Sequence, residues 1–189
     1  MSVASVHPLP WTVDELYGLP EDGMRHELLD GTLLVSPPPS VSHQLAAARL
    51  RAMLAAAAPA DMEVLEAVGV AIPAGLLVPD VVVARADAVY AGPRELRAGD
   101  VLAVAEVVSP SSRTADRRWK AEAYAEADIE VYLRVELDVS GGPTVVVHRL
   151  ARGAYEEAAV VRGDLPTLVA VPFAATLVAG GLVGPSRSR

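Results

Sequence analysis

The sequence has no cysteine and few aromatic residues. The absence of cysteine in 189 residues excludes disulfides, thiolate zinc sites and cysteine nucleophiles. Aromatic residues make up 4% against an apolar fraction of 52%, so the core must consist mainly of alanine, valine and leucine. No uninterrupted apolar run reaches transmembrane length, and the first residues, MSVASVHPLPW, lack the pattern of a signal peptide. We therefore expect a cytoplasmic protein that does not enter a membrane.

Positive charge is also scarce, because the formal net charge is −8. Taken alone, this charge argues against broad nonspecific binding of nucleic acid, which requires a basic surface. The cations are unevenly placed, however, and four of them fall within residues 113–120: Arg113, Arg117, Arg118 and Lys120. An acidic metal site that faces a local basic strip is therefore still compatible with the composition.

Lysine is the rarest charged residue, since Lys120 is the single lysine among 16 lysines and arginines. Arginine can replace lysine as a solvated surface charge. It cannot replace a compact ammonium whose pKa can be tuned, because guanidinium is planar and always charged. Lys120 is therefore a candidate for chemistry. The alternative is that it survives by chance in an alanine- and arginine-rich composition.

The order of apolar and turn-forming segments predicts an α/β fold with a mixed sheet flanked by helices. A capped N-terminal helix (12–17) and a hairpin around Asp30-Gly31 (26–29 and 32–35) form an extension to it. Two longer helices are predicted at 42–58, with Ser42 as N-cap, and at 113–127. Strands are predicted at 64–72, 81–84, 101–108, 129–135, 144–150 and, at an edge, 155–161. One domain is expected over residues 1–184, with residues 185–189 as a disordered tail.

Glu106 is the one charge within an otherwise apolar strand, VLAVAEVV. Burial of an unpaired carboxylate costs several kcal/mol, so Glu106 needs a cation. A metal ion and a structural ion pair with Lys120 or an arginine are both open. Asp80, Glu106 and Lys120 follow one another as acid, acid and lysine, and oxygen ligands of this kind suit Mg²⁺ or Mn²⁺.

Several ordered motifs give the chain its resemblance to a known family. They are RHELLDGTLL (25–34), SPPPSVSHQ (36–44), VPD (78–80), VAEVVSPSSR (104–113), the D-x-x-x-K-x-x-x-Y of Asp116, Lys120 and Tyr124, and IEVYLRVE (129–136). In this order the chain resembles the Uma-two-type family of endonucleases, a bacterial branch of the PD-(D/E)XK superfamily. The resemblance implies a restriction-endonuclease-like core.

The resemblance also implies an active site. Asp80 and Glu106 would bind a divalent metal, together with the backbone carbonyl of Val107. Glu27 would be a further acidic ligand or would orient the water, and Lys120 would be the catalytic lysine.

One departure from the superfamily signature concerns that lysine. The signature places it two residues after the second acid, which is Val108 here. In this chain it has moved to the following helix, and whether its ammonium reaches the metal-bound water depends on geometry.

Other residues have two open interpretations each. His43 either lines the cleft that binds the nucleic acid or makes a local hydrogen bond at the start of its helix. Arg113, Arg117 and Arg118 either contact phosphates or form the solvated face of a helix.

The sequence thus predicts a Mg²⁺- or Mn²⁺-dependent endonuclease that hydrolyses phosphodiester bonds, with DNA as its partner. The alternative is a catalytically inactive binding or assembly module that keeps the nuclease fold. Nucleases of this fold often pair, so a homodimer is compatible with either function.

Overall fold

A computed structural model describes residues 10–108, 118–137, 142–170 and 172–183. The α-helices in these ranges are α1 (Val13–Tyr17), α2 (Val41–Ala55), α3 (Ala86–Tyr90) and α4 (Lys120–Glu126). The strands are β1 (Arg25–Leu29), β2 (Thr32–Ser36), β3 (Met62–Glu66), β4 (Val70–Ile72), β5 (Gly75–Leu77), β6 (Val81–Arg85), β7 (Leu96–Arg97), β8 (Val101–Val108), β9 (Val131–Glu136), β10 (Thr144–Ala151), β11 (Ala154–Arg162), β12 (Thr167–Ala170) and β13 (Ala174–Leu177).

The apolar strand β8 lies inside a six-stranded mixed sheet with the order β11-β10-β9-β8-β6-β3. It runs parallel to β9 and antiparallel to β6. Because successive side chains of a strand point to opposite faces, Ala103, Ala105 and Val107 pack on the α2 side. Val104 packs on the α4 side. The prediction of a strand covered on both faces is confirmed.

A second sheet, of five strands, has the order β2-β1-β5-β4-β7. The predicted hairpin is confirmed, and its turn places Asp30 at φ 48° and Gly31 at φ 71°. Left-handed backbone at both turn positions is what a two-residue hairpin requires. Strand β5 pairs with β1, and the chain then passes through residues 78–80 into β6. This short segment joins the second sheet to the first.

Two predicted elements were wrong in detail. The run 64–72 is not one strand but β3 and β4, which belong to different sheets. The chain changes direction at Ala67, whose φ of 51° interrupts an extended ladder. The N-cap of α2 is Ser40, whose hydroxyl accepts from the His43 amide at 3.3 Å, and not Ser42.

Most other boundaries agree with expectation. The capping box of Thr12 and Glu15 is present in α1, and β11 lies at an edge of the six-stranded sheet. The predicted helix 113–127 is seen as α4, while its first part and the tail 185–189 lie outside the described residues. No helix in the described ranges is long and apolar enough to cross a membrane.

Candidate functional site

Glu106 meets helix α4 in the interior of the protein. Its side chain points to the α4 face of β8, where the Tyr124 hydroxyl donates to its Oε1 at 2.7 Å and the Lys120 ammonium lies 3.2 Å from the same oxygen. Both partners come from one face of α4, because they are four residues apart. Glu106 is 1% exposed, so this pairing supplies the charge that its burial requires.

Lys120 reaches a second carboxylate from the other sheet. Its Nζ lies 2.8 Å from Glu27 Oε1, and the lysine is 4% exposed. The ammonium therefore bridges Glu27 on β1 and Glu106 on β8. The superfamily signature places the lysine at the position of Val108, two residues after Glu106. In this chain the lysine lies on α4 instead, and its ammonium still contacts Glu106.

Strand β1 also holds the segment before β6. Glu27 Oε1 accepts a hydrogen bond from the Val78 amide at 2.7 Å. Arg25 NH1 donates to the Val78 carbonyl at 3.3 Å and to Asp80 Oδ1 at 3.1 Å. Arg25 and Glu27 can act together because residues two apart on a strand share a face. The oppositely charged side chains of Arg25 and Glu27 thus hold residues 78–80 in place, and this positions Asp80.

Asp80 is buried and receives hydrogen bonds on both carboxylate oxygens. Besides the contact with Arg25, its Oδ2 accepts from the Val107 amide at 2.8 Å and lies 3.1 Å from His43 Nε2. Burial acts to raise the pKa of Asp80, but the hydrogen bond and charge of His43, the charge of Arg25 and the Val107 amide outweigh it. The pKa of Asp80 is therefore below its ordinary value, and the carboxylate stays ionised.

Tyr124 remains a hydrogen-bond donor at the site. Its pKa is well above the ordinary value, because the ring is fully buried and the carboxylates of Glu106 and Glu27 oppose a second negative charge. A neutral phenol can donate to Glu106 without adding charge to the cluster.

The structure thus brings three of the four predicted catalytic residues, Glu27, Glu106 and Lys120, into direct contact. It places the fourth, Asp80, on the backbone amide of Val107, the residue after Glu106. It places His43 on Asp80. Arg118 is a surface residue whose side chain is 74% exposed and lies 3.4 Å from Glu122. Arg113, Asp116 and Arg117 lie outside the described residues.

Sequence reasoning missed the role of Arg25. The signal available was its spacing of two residues from Glu27 within RHELL, which puts both side chains on one face of a strand. The spacing alone does not identify a role for Arg25. Its role follows from its contacts with Val78 and Asp80, which depend on the tertiary structure.

The oxygen atoms available at this site are of the kind that bind a divalent cation. Asp80, Glu106 and the Val107 carbonyl offer hard oxygen ligands, and the Val107 amide contact places Asp80 against the same stretch of β8. Within the described ranges, no three histidine, aspartate or glutamate side chains form a group ready to hold a metal ion. Mg²⁺ usually keeps several waters and takes only one or two carboxylates, so two acids and a carbonyl fit its needs.

Comparisons with known proteins agree with this architecture. The model of the Uma2 family, described as "Putative restriction endonuclease", matches residues 13–178. A matching solved structure is that of a "putative nuclease belonging to DUF820" from Anabaena variabilis, with a TM-score of 0.70 and 17% identity over 92% of this chain and 97% of that chain. At this identity the likeness concerns the fold, and it confirms the predicted α/β nuclease architecture. No curated protein matches the chain significantly.

Proposed function

Because this chain belongs to the Uma2 family, described as "Putative restriction endonuclease", we propose that it is a nuclease that hydrolyses phosphodiester bonds of DNA with Mg²⁺ or Mn²⁺. One observation carries the proposal. The only lysine of the chain is buried with its ammonium between Glu27 and Glu106, at 2.8 and 3.2 Å. An isolated structural ion pair would need one acid, whereas this cluster gathers three acids around the joint of two sheets.

Asp80, Glu106 and the Val107 carbonyl would hold the divalent ion. When bound, such an ion lowers the pKa of a coordinated water and neutralises charge on a phosphoryl oxygen. The protein's own contribution is orientation: the Val107 amide and His43 fix Asp80, and the Tyr124 hydroxyl fixes Glu106.

Lys120 would act on the attacking water and on the negative charge that develops on the phosphate. Donors that are positioned before the reaction stabilise developing charge far better than mobile ones. Glu27 holds the ammonium in place through its 2.8 Å contact. We therefore assign Glu27 to the support of Lys120.

DNA binding would depend on local cations, since the net charge of −8 repels a polyanion at long range. Arg118, two residues before Lys120 in sequence, is exposed, and with Arg113 and Arg117 it would form the proposed phosphate-binding strip. His43 contacts Asp80 at 3.1 Å, so its proposed role moves from DNA contact to support of Asp80. Pairing of two copies remains a prediction.

The test is cleavage of supercoiled plasmid by wild type and by Lys120→Gln, with Mg²⁺, with Mn²⁺ and with EDTA. We expect metal-dependent nicking by wild type and a loss of about 10²-fold or more in Lys120→Gln, as for other preorganised donors. Arg162→Gln, an exposed cation at the end of β11, is the matched control and should cleave like wild type. Cleavage by Lys120→Gln at the wild-type rate would show that Lys120 is not the catalytic lysine.

A non-catalytic binding or assembly module is the second candidate. It is favoured by the absence, in the described part of the chain, of a ready three-residue metal group. Calorimetry with Mn²⁺ separates the two, with Asp80→Asn as control. Binding by wild type that is lost in Asp80→Asn supports the nuclease. No binding and no cleavage by wild type supports the module.

A further inference from the structure

The charges of the buried cluster are nearly balanced by the protein itself. Glu27, Asp80 and Glu106 supply three carboxylates, each at most 4% exposed. Arg25 and Lys120 supply two cations in direct contact with them. A divalent ion would therefore enter a cluster whose acids already have partners, and it would add positive charge close to both cations.

Arg25 is the cation closest to the proposed metal ligand Asp80. Its NH1 lies 3.1 Å from Asp80 Oδ1. Burial acts to lower the pKa of Arg25, but the charge and hydrogen bond of Asp80 and the charges of Glu27 and Glu106 outweigh it, so the pKa is raised. The guanidinium therefore contacts Asp80 and also feels the charges of Glu27 and Glu106.

We propose that Arg25 is the resident cation of the metal-free site and competes with the divalent ion for Asp80. This inference rests on the metal site of the proposed function. Without the ion the guanidinium would neutralise Asp80, and on binding of the ion it would move away from this carboxylate.

The two cations differ in their ability to move. The side chain of Arg25 is 23% exposed, whereas that of Lys120 is 5% exposed. Arginine does not lose its proton in proteins, so its charge can leave the site only if the side chain moves. Arg25 is therefore partly open to solvent, whereas Lys120 is buried.

The remaining contacts of Asp80 can persist during this exchange. His43 and the Val107 amide both bind Oδ2, while Arg25 binds Oδ1. Departure of Arg25 therefore frees one oxygen and leaves the carboxylate oriented by the other. This separation would let Asp80 bind the ion without losing its orientation.

The main experiment is a calorimetric Mn²⁺ titration of the full chain as wild type, Arg25→Gln, Arg25→Lys and Arg49→Gln. Arg49 donates to the Gly181 carbonyl and has no acid partner in this contact, so Arg49→Gln is the matched control. We expect Arg25→Gln to bind Mn²⁺ about tenfold tighter, since a unit charge next to the ligand is removed. Arg25→Lys and Arg49→Gln should stay near the wild-type affinity. Folded Arg25→Gln that binds no tighter than wild type overturns the proposal.

A measurement on wild type covers the case in which Arg25→Gln fails to fold. The Nε–H resonance of Arg25, assigned by its loss in Arg25→Lys, is followed by NMR during a Mg²⁺ titration. We expect it to move toward the position of solvent-exposed arginines as the site fills. An Arg25 resonance unchanged at saturating Mg²⁺ overturns the proposal.

Plasmid cleavage distinguishes failure of the competition between Arg25 and the ion from failure of the proposed nuclease function. Mn²⁺ binding that depends on Arg25, in a wild type that cleaves no nucleic acid, would overturn the nuclease and leave Arg25 as the competing cation. Cleavage in EDTA by a wild type that binds no Mn²⁺ would overturn the competition and leave a nuclease.

Discussion

Tyr124 and Tyr155 each donate a phenol hydrogen bond of 2.7 Å, but to acceptors of different charge. Tyr124 donates to the Glu106 carboxylate and Tyr155 to the Ile129 carbonyl. Hydrogen bonds to charged groups contribute about 1.5–3 kcal/mol, and neutral ones about 0.5–1.5 kcal/mol. We therefore expect Tyr124→Phe to lower the free energy of unfolding more than Tyr155→Phe, as measured by urea denaturation.

The pair is a matched comparison because each change removes one hydroxyl and leaves the ring. Equal losses in the two variants would show that the charge of Glu106 does not strengthen the bond. Plasmid cleavage by Tyr124→Phe adds a second result, since reduced cleavage with a retained fold would indicate that Tyr124 positions Glu106.

Asp80 makes stability depend on pH in the acid range. Its pKa is lower in the folded protein than the unfolded value of about 3.9. Its contribution is therefore fully present above the unfolded pKa and is lost as the pH falls through the folded pKa. We expect the difference in unfolding free energy between wild type and Asp80→Asn to be constant near neutral pH and to shrink below about pH 4. A difference that grows on acidification would contradict the lowered pKa.

At the residue scale, the acids and the lysine could be predicted because each is unusual where it stands. Glu106 is a lone charge in an apolar strand, and Lys120 is the only lysine. Arg25 is one of many arginines, and its spacing of two residues from Glu27 is a weak local signal. Its partners, Val78 and Asp80, are brought to it by the pairing of β1 with β5.

Helix α2 carries His43 to Asp80, and its start is set by Ser40. The Ser40 hydroxyl accepts from the His43 amide at 3.3 Å. We expect Ser40→Ala to cost about 1 kcal/mol, the usual value of an N-cap, and Ser42→Ala to cost much less. Chemical denaturation of both variants measures this difference. A larger loss of unfolding free energy in Ser42→Ala would identify Ser42, the residue that the sequence pattern suggested, as the N-cap.

The elements that sequence patterns missed are those defined by the strands they pair with rather than by their own composition. The run 64–72 is apolar except for Glu66, and the periodicity on either side of Ala67 does not reveal that β3 and β4 join different sheets. The short strands β5 and β7 have three and two residues, too few for a pattern. By contrast, β8 and the hairpin were predicted well, because burial on both faces and the Asp-Gly turn are local signals.

The whole chain is predicted to unfold as one domain, although its strands form separate sheets. Trp11 packs in the cluster of the second sheet, and Trp119 directly precedes α4. If the protein is one cooperative unit, Trp11→Phe and Trp119→Phe, which leave one tryptophan each, should show fluorescence transitions that coincide with that of circular dichroism. Two separated midpoints would indicate two units joined at residues 78–80.

At the scale of the molecule, alternating helices and strands were enough to predict an α/β fold with a mixed sheet. The strand order was not predictable, because pairing between strands distant in sequence is decided by packing. The parallel neighbours β8 and β9, for example, are separated by α4.

The position of Glu106 on β8 also limits how the length of this region can change. Side chains alternate along a strand, so one residue inserted between Ala103 and Glu106 would turn the carboxylate toward α2. Two inserted residues would restore the face but move Glu106 about 6.6 Å along the strand, away from Lys120. An insertion within Ala98–Asp100, before β8 begins, changes neither. Natural or engineered length variation should therefore be tolerated ahead of this strand and excluded within it.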